Sequence, residues 1–201
     1  MAVDSMNSVL RKLQPLAAAV ALTLAGCGAG APGEAPLAGA RIGGPFTLTD
    51  QNGKQVRDSD FAGKYRIVYF GYTYCPDVCP TDLARIGAAL RTLDKQAPGI
   101  AGKIVPLFIS VDPERDTPAQ LKQYVGNFHP RLIGLTGTPQ QIAQVAKAYA
   151  IAYMKQPTPS GYLMGHTEVA YLMGPDGKPI TSLPLEKDSP AIVAELEHWV
   201  R

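Results

Sequence analysis

Two runs, YRIVYFGY (residues 65–72) and IVPLFISV (residues 104–111), restrict the possible folds more than anything else in the chain. Both are β-branched, aromatic or apolar on both strand faces, a composition that suits central strands covered on each side. Between them Leu83, Ile86, Leu90 and Leu93 recur at helical spacing, and Pro80 is suited to the first helical position. Strand, helix and strand in this order make a βαβ unit, with a parallel pair and a helix packed on it.

The flanking sequence extends that unit. Phe46–Thr49 and Lys54–Arg57 enclose DQNGK, whose Asn52-Gly53 pair predicts a two-residue hairpin. Thr117-Pro118 opens a helix carrying Leu121, Tyr124 and Val125. RLIGLTG (131–137) reads as a short strand, and Thr138-Pro139 starts a helix with Ile142, Val145, Ala146 and Tyr149 on one face. TEVAYLMGPDGKPITSL (167–183) predicts a hairpin turning at Pro175-Asp176-Gly177. From about Pro190 an amphipathic helix carries Ile192, Val193, Leu196 and Val200. Hairpin, βαβ, helix, ββα, with paired cysteines at a strand-to-helix turn, predicts an α/β thioredoxin-like sandwich. It has a central mixed sheet, an N-terminal β-hairpin extension and flanking helices, in one domain over residues 46–201.

The N-terminus reads as a sorting signal. Arg11 and Lys12 precede the apolar run PLAAAVALTLAG (15–26), too short to span a bilayer and laid out like a secretory signal. Leu24-Ala25-Gly26-Cys27 looks like a bacterial lipobox, which implies cleavage before Cys27 and acylation of its sulfur. Residues 1–26 are then a lipoprotein signal peptide, and 27–45, rich in Gly, Ala and Pro, a lipidated flexible tether. The expected location is the cell membrane, facing the periplasm. The net charge of +2 comes with scattered basic residues, so nucleic acid is not an expected partner. With Cys27, Cys75 and Cys79 as the only cysteines, a disulfide-stabilised scaffold is excluded.

Cys75 and Cys79 each precede a proline, which pushes both backbones away from helical torsions and places Cys75 in the loop and Cys79 at the helix entrance. A helix N-terminus favours thiolate over thiol. Three uses of such a pair stand open. A structural disulfide would close so short a loop that it stabilises by only about 2 kcal/mol in the chain-entropy model. A redox couple of the thioredoxin type has Cys-x-x-Cys and a facing proline, whereas here the spacing is Cys-x-x-x-Cys and the residues entering the corresponding strand are His166-Thr167-Glu168. A metal site needs a third ligand: two thiolates suit Cu(I), and an added imidazole also permits Cu(II). His129 reads as a turn or capping residue and His198 as helix-end surface. His166 enters the strand that runs alongside the cysteine loop in this fold. Structural zinc would want a fourth ligand, and Met154, Met164 and Met173 read as core or loop filling.

YFGYTYCPDVCPTDL, PLFISVDPERDTP, GLTGT, VAKAYAIAY and HTEVAYLMGPDGK together resemble successive blocks of the SCO/SenC copper-chaperone family, from about Phe46 to the C-terminus. The resemblance implies a thioredoxin fold binding one copper, Cu(I) or Cu(II), through Cys75, Cys79 and His166. It implies a part in building the CuA centre of cytochrome c oxidase, by metal delivery or by reduction of that centre's cysteines. The partners it implies are the oxidase subunit carrying CuA, other periplasmic copper chaperones and thiol reductants. A thiol-disulfide oxidoreductase cycling Cys75 and Cys79 is the competing reading, and a copper sensor a weaker third. One departure stands out: the family usually has Asp before its histidine, and here the residue is Gly165. Asp77, Asp112, Glu114 and Asp116 offer compensating charge, against a plain reading as turn and cap residues that is favoured for Asp116.

Overall fold

A computed structural model describes residues 33–201. Residues 34–201 form one compact unit; the signal-like segment and Cys27 lie outside the described residues. No helix among the described residues is long and apolar enough to cross a membrane.

The two apolar runs become β3 (Tyr65–Gly71) and β4 (Ile104–Ser110), paired in parallel from Tyr65 opposite Ile104 to Gly71 opposite Ser110. Ile67, Val68, Phe70, Phe108 and Ile109 are fully buried, as strands covered on both faces require. The sheet has seven strands. On one side of β4 lie β5 (Ile133–Thr136, parallel), then β1 (Thr47–Asp50) and β2 (Gln55–Arg57), both antiparallel to their neighbours. On the other side of β3 lie β8 (Ala170–Met173) and β9 (Pro179–Ser182), again antiparallel. The mixed sheet, the N-terminal hairpin and the flanking helices make the thioredoxin-like α/β fold.

Helix starts follow local chemistry. Helices α3 (Pro118–Gly126), α4 (Pro139–Ala148) and α5 (Ser189–Trp199) each carry proline near the first position. The side chains of Thr117, Thr138 and Asp188 accept a backbone N–H of the first turn in each case. Helix α1 (Val78–Gln96), followed by the short α2 (Pro98–Ala101), packs beside α5.

Four details differ from the sequence expectations. The first hairpin turns through more than Asn52-Gly53, because the Asp50 carboxylate accepts the N–H groups of Asn52 and Lys54 and holds a longer loop. Helix α1 begins at Val78, so Pro80 is its third residue and Cys79 is helical. A proline there removes only an N–H that the first turn leaves unpaired anyway. Packing on the domain begins before Phe46: the Leu37 N–H donates to Ile180 O and the Gly43 N–H to Ala148 O. Finally, β6 (Tyr153–Thr158) and β7 (Gly161–His166) form a two-stranded ribbon outside the main sheet.

Candidate metal centre

Strand β3 ends at Gly71, and the chain passes Tyr72 into a turn before α1. A Cβ at Gly71 would stand 2.9 Å from Cys79 Sγ and 2.9 Å from Phe108 Cε2, so the missing side chain makes room for the sulfur. Cys79 is fully buried in the first turn of α1, while Cys75 is half-buried on the turn; both are free thiols.

Helix α1 has no side-chain oxygen capping it at Asp77. The Cys75 sulfur stands in that role, accepting the Cys79 N–H at 3.4 Å. Negative charge is favoured at such a position. The Cys75 thiol is accordingly lowered to about 3, first by the Cys79 thiol, with burial opposing, and then by His166 and the N–H groups of Asp77 and Cys79. Cys79 is raised, first by the neighbouring Cys75 and then by burial. The apo pair therefore holds one negative charge, on Cys75, and one proton, on Cys79. A metal that takes both sulfurs must displace that proton.

His166 closes β7, paired in register with Tyr153. Its Nε2 lies 3.3 Å from Cys79 Sγ. Its Nδ1 lies 3.0 Å from the Thr167 carbonyl. A carbonyl only accepts, so Nδ1 carries a proton, and Nε2 is left facing the sulfurs as a metal ligand would be. The Tyr72 ring packs perpendicular to the imidazole, at 6.0 Å between centroids and 88°. Burial opposes charging the ring, but the Cys75 sulfur, the Thr167 carbonyl and Glu168 outweigh it, and the His166 pKa is raised. The ligand atoms of Cys75, Cys79 and His166 all lie within 4.8 Å of one another; among the described residues no other Cys, His, Asp or Glu group converges in this way. Two soft sulfurs and one imidazole suit copper in either oxidation state.

The remaining candidates fall elsewhere. His129 is buried away from the cysteines, with Nε2 3.0 Å from Asp94 Oδ2 and Nδ1 accepting the Arg131 N–H. His198 is exposed and packs edge-on against Trp199. Met164 and Met173 are core residues. Met154 is 63% exposed on the outer face of the ribbon, so it does not fill the core. Asp116 caps nothing: Thr117 is the cap. The Asp116 carboxylate, fully buried, instead accepts the N–H and hydroxyl of Thr73 and the hydroxyl of Ser110, and so anchors the cysteine turn. Beside Gly165 the space is taken by the Gln156 amide, which a Cβ would meet at 2.5 Å. The acidic group acting on His166 is Glu168, not the residue before it.

Two clusters escape the sequence reading. Beneath Cys79, the buried Tyr69 hydroxyl donates to Asp82 Oδ2 at 3.0 Å. Burial is the first cause that raises the Tyr69 pKa, and the Asp82 carboxylate adds to it. Beside Cys75, Arg115 stacks on the rings of Tyr162 and Tyr74. The signal for the second was the Arg in DPERDT, where only the acids drew notice.

Comparison with known proteins places this geometry. Residues 34–201 match the family model described as SCO1/SenC. Protein SCO1 homolog 1, mitochondrial, of Arabidopsis thaliana is 50% identical over 145 residues, 71% of this chain and 42% of that protein. The chain spans about half the length of the curated relatives it matches. Bradyrhizobium japonicum ScoI, solved with copper bound, is 46% identical with a TM-score of 0.72, covering 79% of this chain and 99% of that one. BsSco, described as a member of the Sco family of cytochrome c oxidase assembly proteins with a disulfide switch, is 28% identical with a TM-score of 0.63, covering 79% of this chain and 94% of that one.

Proposed function

Because the chain belongs to the SCO1/SenC family, we propose that it is a copper metallochaperone serving assembly of the CuA centre of cytochrome c oxidase. The observation that carries this reading is the convergence of two sulfurs and one imidazole nitrogen within 4.8 Å. Cys75 and Cys79 supply the thiolates and His166 the Nε2. Copper is the cargo, passed to the oxidase subunit by exchange of ligands. The likeness to copper-bound ScoI and to an oxidase assembly protein supports both the metal and the partner.

Location completes the proposal. The signal-like run before Leu24-Ala25-Gly26-Cys27 supports lipidation at Cys27 and a site of action on the periplasmic face of the inner membrane. A Cys27→Ser variant should leave the membrane fraction.

Spectroscopy of the reduced, copper-loaded chain tests the ligand set. We expect thiolate-to-Cu(II) charge-transfer absorption and hyperfine coupling to one nitrogen. Oxygen-only coordination would defeat the proposal.

A second reading has its own support in the asymmetry of the thiols. A half-exposed Cys75 thiolate beside a buried, protonated Cys79 is the arrangement of an attacking and a resolving cysteine. In that reading Cys75 attacks a disulfide of the CuA site, forming a mixed disulfide. Cys79, losing its proton, then closes the Cys75–Cys79 bond and releases the partner as a dithiol. Two electrons move to the partner, and an external thiol reductant must restore this chain. Reduction of an oxidised CuA-site peptide by the His166→Ala variant at the wild-type rate would favour this reading over delivery.

A further inference from the structure

We propose that Arg115 is a positioning residue, a latch that fixes the histidine ribbon against the cysteine turn and so determines whether His166 reaches the sulfurs. The inference rests on the copper reading only for its second measurement.

His166 is carried by a ribbon with no ladder to the main sheet. A two-stranded ribbon is marginal in water by itself, so side-chain contacts must decide where it sits. On its inner face Met164 is buried and Tyr153 and Tyr162 pack on the core, while on the outer face Met154 is 63% and Leu163 38% exposed. The polar ties gather on one short segment, residues 112–116, directly after β4. Arg115 Nη1 donates to the Tyr162 carbonyl at 2.9 Å, and its guanidinium carbon lies 3.7 Å from the centre of the Tyr162 ring. The same guanidinium lies 4.8 Å from the ring of Tyr74, the residue before Cys75. Its Nε donates to Asp112, whose other oxygen accepts the Tyr162 hydroxyl at 2.9 Å. The carboxylate of Asp112 is almost wholly buried, so the two bonds it accepts form where little water competes for its oxygens.

At the far end of the segment, Asp116 holds Thr73 of the cysteine turn through two hydrogen bonds and accepts a third from the Ser110 hydroxyl. One pentapeptide thus grips both halves of the metal centre: Asp116 the turn with the sulfurs, Arg115 and Asp112 the ribbon with the imidazole. Of the five residues, Arg115 touches both sides, through Tyr74 and Tyr162. A planar guanidinium can stack on two rings while donating in its own plane, which an ammonium cannot.

The full chain carrying Arg115→Gln, Arg115→Lys or Tyr162→Leu tests the latch by hydrogen exchange of the reduced, metal-free protein. We expect the amides of β6 and β7 to exchange at least tenfold faster in Arg115→Gln and Tyr162→Leu, with those of β3 and β4 unchanged. Arg115→Lys should fall between, since it keeps the charge on Asp112 and loses the stack. A Lys155→Gln control removes the exposed bridge to Glu114 and the ammonium 4.6 Å from the centre of the Tyr162 ring, but leaves the guanidinium in place, and should leave exchange within twofold of wild type. Cu(II) affinity should fall roughly 10–100-fold in Arg115→Gln, as when a partner that orients a ligand is lost, while Cu(I), held by two thiolates, changes less than threefold. Wild-type exchange in the ribbon would overturn the proposal, as would exchange that rises equally throughout the sheet. Should Arg115→Gln not fold, Tyr162→Leu and Arg115→Lys decide on the same criterion. Faster ribbon exchange in a protein whose wild type binds no copper would sustain the latch and sink the copper reading instead.

Discussion

The imidazole Nε2 of His166 lies 3.3 Å from the sulfur of Cys79, across 87 residues of chain. The two are placed by different elements: the sulfur by β3, Gly71 and the start of α1, and the imidazole by the β6–β7 ribbon. His166 stands at the end of a strand, half-buried, so trimming it to alanine removes a ligand and little packing. The His166→Ala variant should keep its fold and its affinity for Cu(I), which two thiolates satisfy. It should lose more than about 100-fold in Cu(II) affinity, beyond the cost of disturbing an outer partner alone. Competition titration with chelators of each oxidation state reads both numbers, and an unchanged Cu(II) constant would remove His166 from the ligand set.

The two cysteines should behave as different reagents. Cys75 is accessible, and its pKa of about 3 keeps it a thiolate across the neutral range, whereas Cys79 is buried and protonated. Alkylation of the reduced apo protein by iodoacetamide should therefore modify Cys75 first, at a rate nearly flat from pH 8 to pH 5. An ordinary thiol with a pKa near 8.5 slows about tenfold per pH unit over that range. Peptide mass spectrometry gives the site and the rate. Preferential labelling of Cys79, or a steep fall below pH 8, would contradict the assignment of the charge.

Most of the main sheet was legible because its strands and helices carry the plain periods. YRIVYFGY and IVPLFISV announce buried strands, and Thr-Pro pairs announce two helix starts. The ribbon was not. YMKQPT alternates poorly and contains Pro157, which weakens a strand reading and is tolerated only because a two-stranded ribbon is all edge. His166 is legible only through the strand after it; its own strand carries no clear signal, and the acids of DPERD read as compensating charge or as turn and cap residues rather than as a grip on the ribbon. Arg115, Asp112 and Asp116 act through contacts 40 or more residues away, to Tyr162 and Thr73, and no local pattern encodes such pairings.

Gly71→Ala tests how tightly the strand end is fitted to the sulfur. The added methyl would lie 2.9 Å from both Cys79 Sγ and Phe108 Cε2, two atoms in a fully buried layer with nowhere to retreat. Overpacking of this kind costs roughly 1–3 kcal/mol, read as a lowered urea midpoint. The displaced sulfur should also shift the thiolate-to-Cu(II) band of the loaded protein. A variant with wild-type stability and spectrum would mean that the strand end yields freely.

His129 supplies a pH dependence remote from the metal centre. Burial is the main reason its pKa is lowered from the ordinary 6.5, with Arg131 and Arg91 acting the same way and Asp94 opposing. The ring accepts the Arg131 N–H at Nδ1 and donates from Nε2 to Asp94, so the neutral form is fully satisfied. Below pH 6.5 the unfolded chain takes up this proton while the folded one resists it. The stabilisation is complete above 6.5 and drains away as the pH falls toward the lowered value, by about 1.4 kcal/mol for each unit of lowering. His129→Gln can make both hydrogen bonds without titrating. Its stability should therefore fall less than that of wild type between pH 7 and pH 5, in paired urea denaturation series. Parallel pH slopes for the two proteins would show that His129 is charged in the folded state and that burial does not hold it neutral.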